Sequence, residues 1–253
     1  MPYTEAPASG PSARFVQAFW QSTGPVAPGA AQRVLPDGCT DIIIDLARPT
    51  RATRYCAEMV GTMTRAIVIP LQDQIDLFGI RFRPGAAPLL WCLPMPELCD
   101  GRVAFVELVR GSEELTERLA TVVSFADRVA CASTWLEERI VAADVEDDKL
   151  RTLAAINAHL EARRDIDALT ASTGWNARKL QRFFDATYGT TAATMRCFWR
   201  FEAVRRGLVQ IPSRSLSALA FDHGYADRAH MAREFQRFAG LTISAWRAES
   251  ALS

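Results

Sequence analysis

An internal repeat limits what this chain can fold into more than any other feature of its sequence. The segment Ile166–Gly189, IDALTASTGWNARKLQRFFDATYG, is similar to Leu216–Gly240, LSALAFDHGYADRAHMAREFQRFAG. Gly174 matches Gly224 at an offset of 50 residues, whereas the glycines that close the two copies match at an offset of 51. The second copy therefore holds one additional residue before Met231, and the two copies are expected to be versions of one structural unit.

Each copy predicts a short helix, a tight turn and a longer helix. Gly174 and Gly224 follow the first helix, where glycine most easily takes the left-handed backbone of a turn. Asn176 and Asp227 come next and are expected to cap the second helix. This order of elements is the sequence form of a helix-turn-helix, whose second helix enters the major groove of DNA.

The second helix of each copy has an apolar and a polar face. The apolar residues recur at helical spacing and are expected in the core; they are Leu180, Phe183, Phe184 and Tyr188 in the first copy, and Met231, Phe235 and Phe238 in the second. The polar faces carry arginine, lysine and glutamine, which hydrogen-bond phosphates and base edges. One such helix would be interpreted as a solvated surface, but two matched copies favour a surface that reads DNA.

The additional residue in the second copy has a geometric consequence. It would rotate the exposed residues by about 100° around the helix relative to the first copy, unless the turn absorbs it. We therefore expect the two copies to present different surfaces.

The two halves of the chain carry opposite charge. Residues 1–150 contain 14 Lys and Arg against 20 Asp and Glu, a net charge of −6, whereas residues 151–253 contain 15 against 9, a net charge of +6. The cations of the second half are arginines apart from Lys179. Arginine binds phosphate and guanine edges in a bidentate manner, so the basic half favours a polyanionic partner.

A third helix is predicted between the two copies. The segment 191–210 has an apolar stripe that includes Phe198, Phe201 and Leu208. Twenty helical residues span about 30 Å, which is close to the ~34 Å between successive major grooves on one side of DNA. A rigid helix of this length could hold two recognition helices in adjacent grooves, on a target that is not palindromic within one subunit.

These features together resemble the DNA-binding domain of the AraC/XylS family of bacterial transcription regulators. The resemblance covers about 150–247 and includes RFEAVRRGL, Arg200–Leu208, which is similar to the linker-helix pattern R-L-x-x-A-x-x-x-L of that family. The chain departs from the family where a proline usually follows each closing glycine by three residues, since Ala192 and Ile243 stand there. Both positions are expected to start a helix, so the departure concerns the helix start rather than the DNA-reading surface.

The resemblance implies which residues contact bases. They are Arg178, Lys179, Gln181 and Arg182 in the first copy, and Arg228, Ala229, Ala232 and Arg233 in the second. The two alanines can offer only apolar contact, for example to a thymine methyl group. Hydrogen bonding by the second copy is therefore expected from Arg228 and Arg233. RNA polymerase and a second copy of the chain are further partners that the resemblance leaves open, as it does activation or repression.

The N-terminal part predicts strands and then helices. Expected strands are 32–35, 40–46, 65–71 and 75–82, and a helix is expected over Ser124–Val141. The acidic stretch Ala143–Lys149 marks a boundary between a sensing or dimerisation domain, 1–143, and a DNA-binding domain, 149–250. The expected fold is an α+β domain with a small antiparallel β-rich sheet or barrel followed by helices, plus an all-α domain with two helix-turn-helix units joined by a linker helix.

Two N-terminal stretches resemble an uncharacterised domain often attached to this DNA-binding domain. They are Val34–Leu46, VLPDGCTDIIIDL, and Gly79–Leu90, GIRFRPGAAPLL. In the wider family the N-terminal part senses a small molecule or dimerises. Asp37, Cys39 and Asp41 are the candidate effector-binding residues, with a purely structural role as the alternative.

Enzymatic chemistry has little support in the N-terminal half. The chain's three histidines, His159, His223 and His230, all lie in the other half, so a histidine-based metal site or a Cys-His or Ser-His pair is not available there. Acid–base work by Asp41 and Asp45 is conceivable. The alternative to a regulator is a small-molecule-binding or enzymatic N-terminal domain with a vestigial or targeting DNA-binding tail.

The cysteines and the apolar segments limit which other classes of protein the chain can belong to. None of the six cysteines forms a C-x-x-C pair, which argues against a zinc site or a disulfide framework, and no metal or cofactor is expected. A redox regulator using Cys39 or Cys99 is a third hypothesis. The start of the chain does not look like a signal peptide, and the apolar runs are far shorter than the ~20 residues that span a bilayer. We therefore expect a cytoplasmic protein.

Overall fold

The computed structural model describes residues 3–47, 56–211 and 213–250. Its N-terminal half contains the strands β1 (Tyr3–Pro7), β2 (Val16–Pro25), β3 (Ala31–Val34), β4 (Asp41–Asp45), β5 (Cys56–Val60), β6 (Ile67–Pro70), β7 (Gln74–Phe82) and β8 (Arg102–Ala104). One antiparallel sheet has the order β1-β2-β7-β4-β5-β8, and β3 pairs with β6 in a second sheet. The four strands expected from the sequence correspond to β3, β4, β6 and β7, and the other four were not predicted.

Helices predominate in the described residues after β7, with β8 between the second and third of them. They are α1 (Ala87–Leu90), α2 (Met95–Leu98), α3 (Phe105–Leu108), α4 (Ser112–Ala120), α5 (Phe125–Ala143), α6 (Asp147–Glu161), α7 (Ile166–Thr173), α8 (Ala177–Tyr188), α9 (Ala192–Gln210), α10 (Leu216–Asp222), α11 (Arg228–Ala239) and α12 (Ile243–Ser250). The predicted helix over Ser124–Val141 corresponds to α5, which Ser124 caps by accepting the amide of Asp127. The antiparallel sheet and the all-helical C-terminal part confirm the expected fold class.

The sheet packs against α5 through an aromatic cluster. Phe78 is completely buried in the sheet, and its ring centroid lies 6.4 Å from that of Phe125 at the start of α5. Trp135 on the same helix lies within 6.2 Å of Trp91 and 6.0 Å of Phe105. Burial of such large side chains contributes roughly 1.5–3 kcal/mol each and holds the helices on the sheet.

The two helix-turn-helix units are α7–α8 and α10–α11. The side chain of Asn176 accepts the amide of Lys179 at 2.9 Å, and that of Asp227 accepts the amide of His230 at 2.6 Å. The two caps are 51 residues apart, the same offset as the closing glycines. The turn between Gly224 and Asp227 therefore absorbs the additional residue, and the rotation of about 100° that an additional helical residue would cause does not occur.

Threonine caps start the two helices that lack the proline of the family pattern. α9 begins at Ala192, and the side chain of Thr191 accepts the amide of Thr194 at 3.1 Å. α12 begins at Ile243, and the side chain of Thr242 accepts the amide of Ala245 at 3.2 Å. A threonine cap satisfies one of the free amides of the first turn, which compensates for the missing proline.

A buried ion pair joins the linker helix α9 to the second unit. Arg200 lies 2.6 Å from Glu234, and their side chains are only 11% and 8% exposed. The same carboxylate accepts the hydroxyl of Tyr225 at 2.6 Å, and the guanidinium of Arg200 lies 4.7 Å from the centre of the tyrosine ring. These contacts of Arg200 hold α11 on α9.

We expect Glu234→Ala to reduce the free energy of unfolding by about 3–5 kcal/mol, because it leaves the buried guanidinium of Arg200 without its carboxylate. Urea denaturation of the full chain measures this. Arg151→Ala is the control, since it breaks an exposed pair with Asp148 and should change stability by less than about 1 kcal/mol. Equal effects of the two substitutions would contradict the assigned role.

Candidate nucleic-acid interface and adjoining cleft

The first recognition helix, α8, exposes all four of its candidate contact residues. Arg178, Lys179, Gln181 and Arg182 are exposed, whereas Leu180 on the opposite face is 4% exposed. The ammonium of Lys179 lies 4.5 Å from the centre of the Trp175 ring. Trp175 in turn packs on Phe183, with their ring centroids 5.2 Å apart. The turn is therefore held on the core by Trp175.

The second recognition helix, α11, exposes three of its four candidates. Arg228, Ala229 and Arg233 are exposed, and Ala232 is half-buried. His230 is also half-buried, and its ring packs edge-on against Tyr225 with 5.3 Å between ring centroids. His230 therefore packs against the turn of its unit.

Equivalent positions of the two helices can be compared directly because their caps align. Arg182 corresponds to Arg233, and Gln181 corresponds to Ala232, at the common offset of 51. The surfaces therefore differ in the side chains they carry and not in their rotation about the helix axis. The first helix offers more hydrogen-bond donors, so the two helices are suited to different base sequences.

The cations on the two polar faces differ from other arginines of this half in their ion pairing. In the described residues, none of these cations forms an ion pair with a carboxylate: Arg178, Lys179, Arg182, Arg228 and Arg233. By contrast, six other arginines of the same half are paired, with Asp148, Asp165, Glu234, Glu202, Glu202 and Asp222 respectively: Arg151, Arg196, Arg200, Arg205, Arg206 and Arg214. Positive charge is therefore left available on the faces that the repeat predicts to meet DNA.

The candidate effector residues of the N-terminal half surround Arg81. The guanidinium of Arg81 lies 3.0 Å from the carboxylate of Asp37 and 3.3 Å from that of Asp41. Asp41 is 8% exposed and also accepts the indole N–H of Trp20 at 3.0 Å. Asp37 accepts the amide of Cys39 at 2.9 Å, which fixes the loop between β3 and β4.

Burial changes the acidity of two of these groups. Burial, followed by the nearby charge of Asp37, raises the pKa of Asp41 to about 7. Three carboxylates share the single guanidinium of Arg81, those of Glu5 at 3.9 Å, Asp37 at 3.0 Å and Asp41 at 3.3 Å, so their charge is incompletely neutralised. Burial also raises the pKa of the Cys39 thiol and that of the Cys99 thiol. Because the thiolate is the reactive form, these environments do not favour the redox hypothesis.

A cleft separates this loop from the linker helix α9. Its volume is about 310 Å³, and it is lined by Gln17, Leu35, Pro36, Asp37, Cys39, Arg81, Trp199, Glu202, Arg205 and Arg206. Asp37 and Cys39 thus line the cleft, while Asp41 lies behind it, against Arg81. Sequence reasoning missed the residues from α9, because no local pattern shows that the linker helix faces the N-terminal half.

Other kinds of site have no support in the described residues. No group of three or more His, Cys, Asp and Glu side chains is placed to hold a metal ion in the described part of the chain. Of the helices described, none is long and apolar enough to cross a membrane. A wider cleft of about 530 Å³ lies between the two halves, and its lining includes Arg83, Arg151 and Asn157.

Comparison with known families identifies both halves. Residues 169–249 match the family described as a helix-turn-helix domain, and residues 4–104 match the family described as a domain of unknown function, DUF6597. The C-terminal part is an AraC-type helix-turn-helix domain. The AraC-type domain follows an uncharacterised N-terminal domain, so both resemblances inferred from the sequence are confirmed.

Similarity to individual proteins is low. ToxT from Vibrio cholerae O395, bound to (E)-4-(8-methylnaphthalen-1-yl)but-3-enoic acid, aligns at 10% identity over 90% of this chain and 97% of its own, with a TM-score of 0.45. Unsaturated fatty acid bound wild-type ToxT from Vibrio cholerae strain SCE256 aligns at 9% identity over 90% of this chain and 94% of its own, with a TM-score of 0.43. No curated protein matches the chain in sequence.

The raised pKa of Asp41 predicts a pH dependence of stability. A carboxyl whose pKa is near 7 in the folded chain and about 4 in the unfolded chain stabilises the fold fully below pH ~4. This contribution is lost as the pH rises to about 7, because the folded chain must release the proton in a buried place. Denaturation between pH 4 and 7 should therefore show a component that falls with pH and is absent from Asp41→Asn.

Asp45→Asn, on the same strand β4, is the control for this measurement and should keep the slope. Identical slopes in the parent chain and in Asp41→Asn would contradict the assigned environment of Asp41.

Proposed function

We propose that this protein is a sequence-specific DNA-binding transcription regulator, in which α8 and α11 read adjacent major grooves. The observation that carries the proposal is the set of exposed cations on the equivalent faces of two recognition helices, which form no ion pair with a carboxylate among the residues that the structure describes. Neutralising such charges with DNA phosphates releases counterions and supplies affinity, while contacts to base edges supply specificity.

The two helices are assigned different recognition chemistry. Arg182 and Arg233 occupy equivalent positions, and each guanidinium can bind the O6 and N7 atoms of a guanine. Gln181 can bind an adenine edge, whereas its equivalent Ala232 can contact only an apolar group such as a thymine methyl. The two half-sites are therefore expected to differ in sequence, which makes the target of one chain asymmetric.

Substitution of the equivalent arginines tests this assignment. Arg182→Ala and Arg233→Ala should each weaken binding to the protein's own promoter region by about 1–3 kcal/mol and relax the base preference at one position. Arg102→Ala is the control, because this exposed arginine lies in the N-terminal half, beside Glu58. Equal weakening on every DNA sequence would make the two residues phosphate contacts, and full-strength binding by both variants would contradict the proposal.

The proposed function also includes control by a small-molecule effector, which would bind in the cleft beside α9. Asp37 and Cys39 line the cleft from one side, and Glu202, Arg205 and Arg206 line it from the linker helix. A ligand there would contact both the N-terminal half and the helix that joins the two DNA-reading units. The cleft presents both signs of charge, which suits a small polar molecule that carries a carboxylate together with an amine or hydroxyl group.

Thermal unfolding with a panel of amino acids and hydroxy acids tests the effector site. A ligand present at 100 times its Kd stabilises the fold by about 2.7 kcal/mol, which raises the Tm of a chain of this size by several degrees at about 2–4 °C per kcal/mol. Asp37→Ala and Arg206→Ala should lose the shift. Arg83→Ala, in the wider cleft, is the matched control and should keep it. Loss of the shift in Arg83→Ala alone would move the site to the wider cleft.

The remaining assignments follow from this function. We propose that residues 1–143 form the sensing or dimerisation domain and that residues 149–250 form the DNA-binding domain, in a non-enzymatic cytoplasmic regulator. RNA polymerase and a second copy of the chain stay predictions. Turnover of a small molecule by the full chain, together with DNA binding that is insensitive to salt, would favour the alternative of an enzyme with a vestigial DNA-binding tail.

A further inference from the structure

We propose that the N-terminal half sets the spacing between the two DNA half-sites. It does so because it contacts the equivalent position, the C-terminal end of the recognition helix, in each helix-turn-helix unit. This inference rests on the proposed DNA-binding function. It concerns specificity for the distance between the half-sites, which contacts to bases do not supply. The contacting elements are the loop between β7 and α1 together with α2, which meet the first unit, and the small β3–β6 sheet, which meets the second unit.

The first contact lies at the C-terminal end of α8. Gly189 closes this helix in the left-handed conformation, at φ = 68°, and packs directly on the backbone of α2. A side-chain carbon at Gly189 would lie 2.0 Å from the carbonyl oxygen of Met95 and 3.2 Å from the Cβ of Cys99. Backbone at this distance cannot move aside as a flexible side chain would, so the approach requires glycine.

Hydrogen bonds and packing reinforce the first contact. The side-chain amide of Asn157 donates to the carbonyl of Pro84 at 2.8 Å, and its oxygen accepts the hydroxyl of Tyr188 at 2.7 Å. Gly85 approaches the last turn of α8 so closely that a side-chain carbon there would lie 2.4 Å from Thr187. Tyr188 is completely buried. The end of α8 is therefore fixed to the N-terminal half by polar and apolar contacts together.

The second contact lies at the C-terminal end of α11. The amide of Ala66, just before β6, donates to the carbonyl of Phe238 at 2.7 Å. Gly240 closes the helix at φ = 68°, and a side-chain carbon there would lie 3.2 Å from the guanidinium of Arg33 on β3. Arg33 also lies 3.4 Å from the carboxylate of Glu249 on α12.

These contacts fall on equivalent positions of the repeat. Thr187 corresponds to Phe238, and Gly189 corresponds to Gly240, at the common offset of 51 residues. Each recognition helix has 12 residues, which is about 18 Å of length, and its candidate DNA contacts lie at the opposite, N-terminal end. The N-terminal half can thus hold both helices without covering the surfaces assigned to DNA.

Holding both helices at one end constrains the distance between their reading ends. Without these contacts the two units would be connected through α9 and its packing alone. With them, each unit is attached both to α9 and to the N-terminal half, so relative motion of the units requires breaking contacts to Met95 or Ala66. One spacing between half-sites is therefore favoured over others.

Selection from a random DNA pool tests the inference. The full chain should select two sequence blocks at a single spacing. Gly189→Ala forces the end of α8 away from Met95, and it should select the same blocks over several spacings. The affinity ratio between the preferred spacing and one changed by half a helical turn should fall roughly tenfold, within the 5- to 150-fold range that coupling between sites usually spans.

Gly29→Ala is the matched control. Gly29 has a left-handed backbone at φ = 74° and nothing within 4 Å of an added side-chain carbon. Gly29→Ala therefore causes the same backbone strain as Gly189→Ala but no collision with a neighbouring residue. Asn157→Ala removes both hydrogen bonds of the first contact and carries the test if Gly189→Ala does not fold. If Gly189→Ala and Asn157→Ala fold, bind DNA and select the same single spacing as the parent chain, this inference is overturned while the proposed function stands. Failure of the parent chain to select any sequence would overturn the proposed function, and with it the inference.

Discussion

The packing of α9 is the interaction on which the rest of the structure depends. Phe201 is completely buried on this helix, with its ring centroid 5.2 Å from those of Phe235 and Phe238 in the second unit. Its neighbour Phe198 faces the N-terminal half, where a side-chain carbon on Gly38 would lie 2.7 Å from its ring. One helix therefore packs against both the N-terminal half and the second unit.

The distribution of ion pairs separates arginines that build the fold from arginines that are available to a partner. Arg200 is buried and held by Glu234, and Arg205 forms two hydrogen bonds with Glu202, so both charges are satisfied within the chain. Arg182 and Arg233 are exposed, without such partners in the described part of the chain. Because the composition counts all of these residues alike, the net charge of the half alone could not make this distinction.

The sequence predicts local features of the site better than contacts between distant segments. The repeat, the caps Asn176 and Asp227 and the exposed polar faces follow from spacing along one helix, and the structure agrees with them. Strands such as β1 and β5 were missed because short strands are defined by their pairing with distant segments rather than by periodicity. Of the two outcomes that the additional residue left open, the structure has the one in which the turn absorbs it, because a turn can take up a residue without disturbing the helix that follows it.

The central claim is that α8 and α11 read adjacent major grooves. Methylation protection of guanines on the promoter region tests it most directly. The N7 atom of guanine lies in the major groove, so a recognition helix there shields it. The account predicts two protected clusters on one face of the DNA, separated by about one helical turn of 10–10.5 base pairs. No protection, or a single protected cluster with the intact chain, would contradict it.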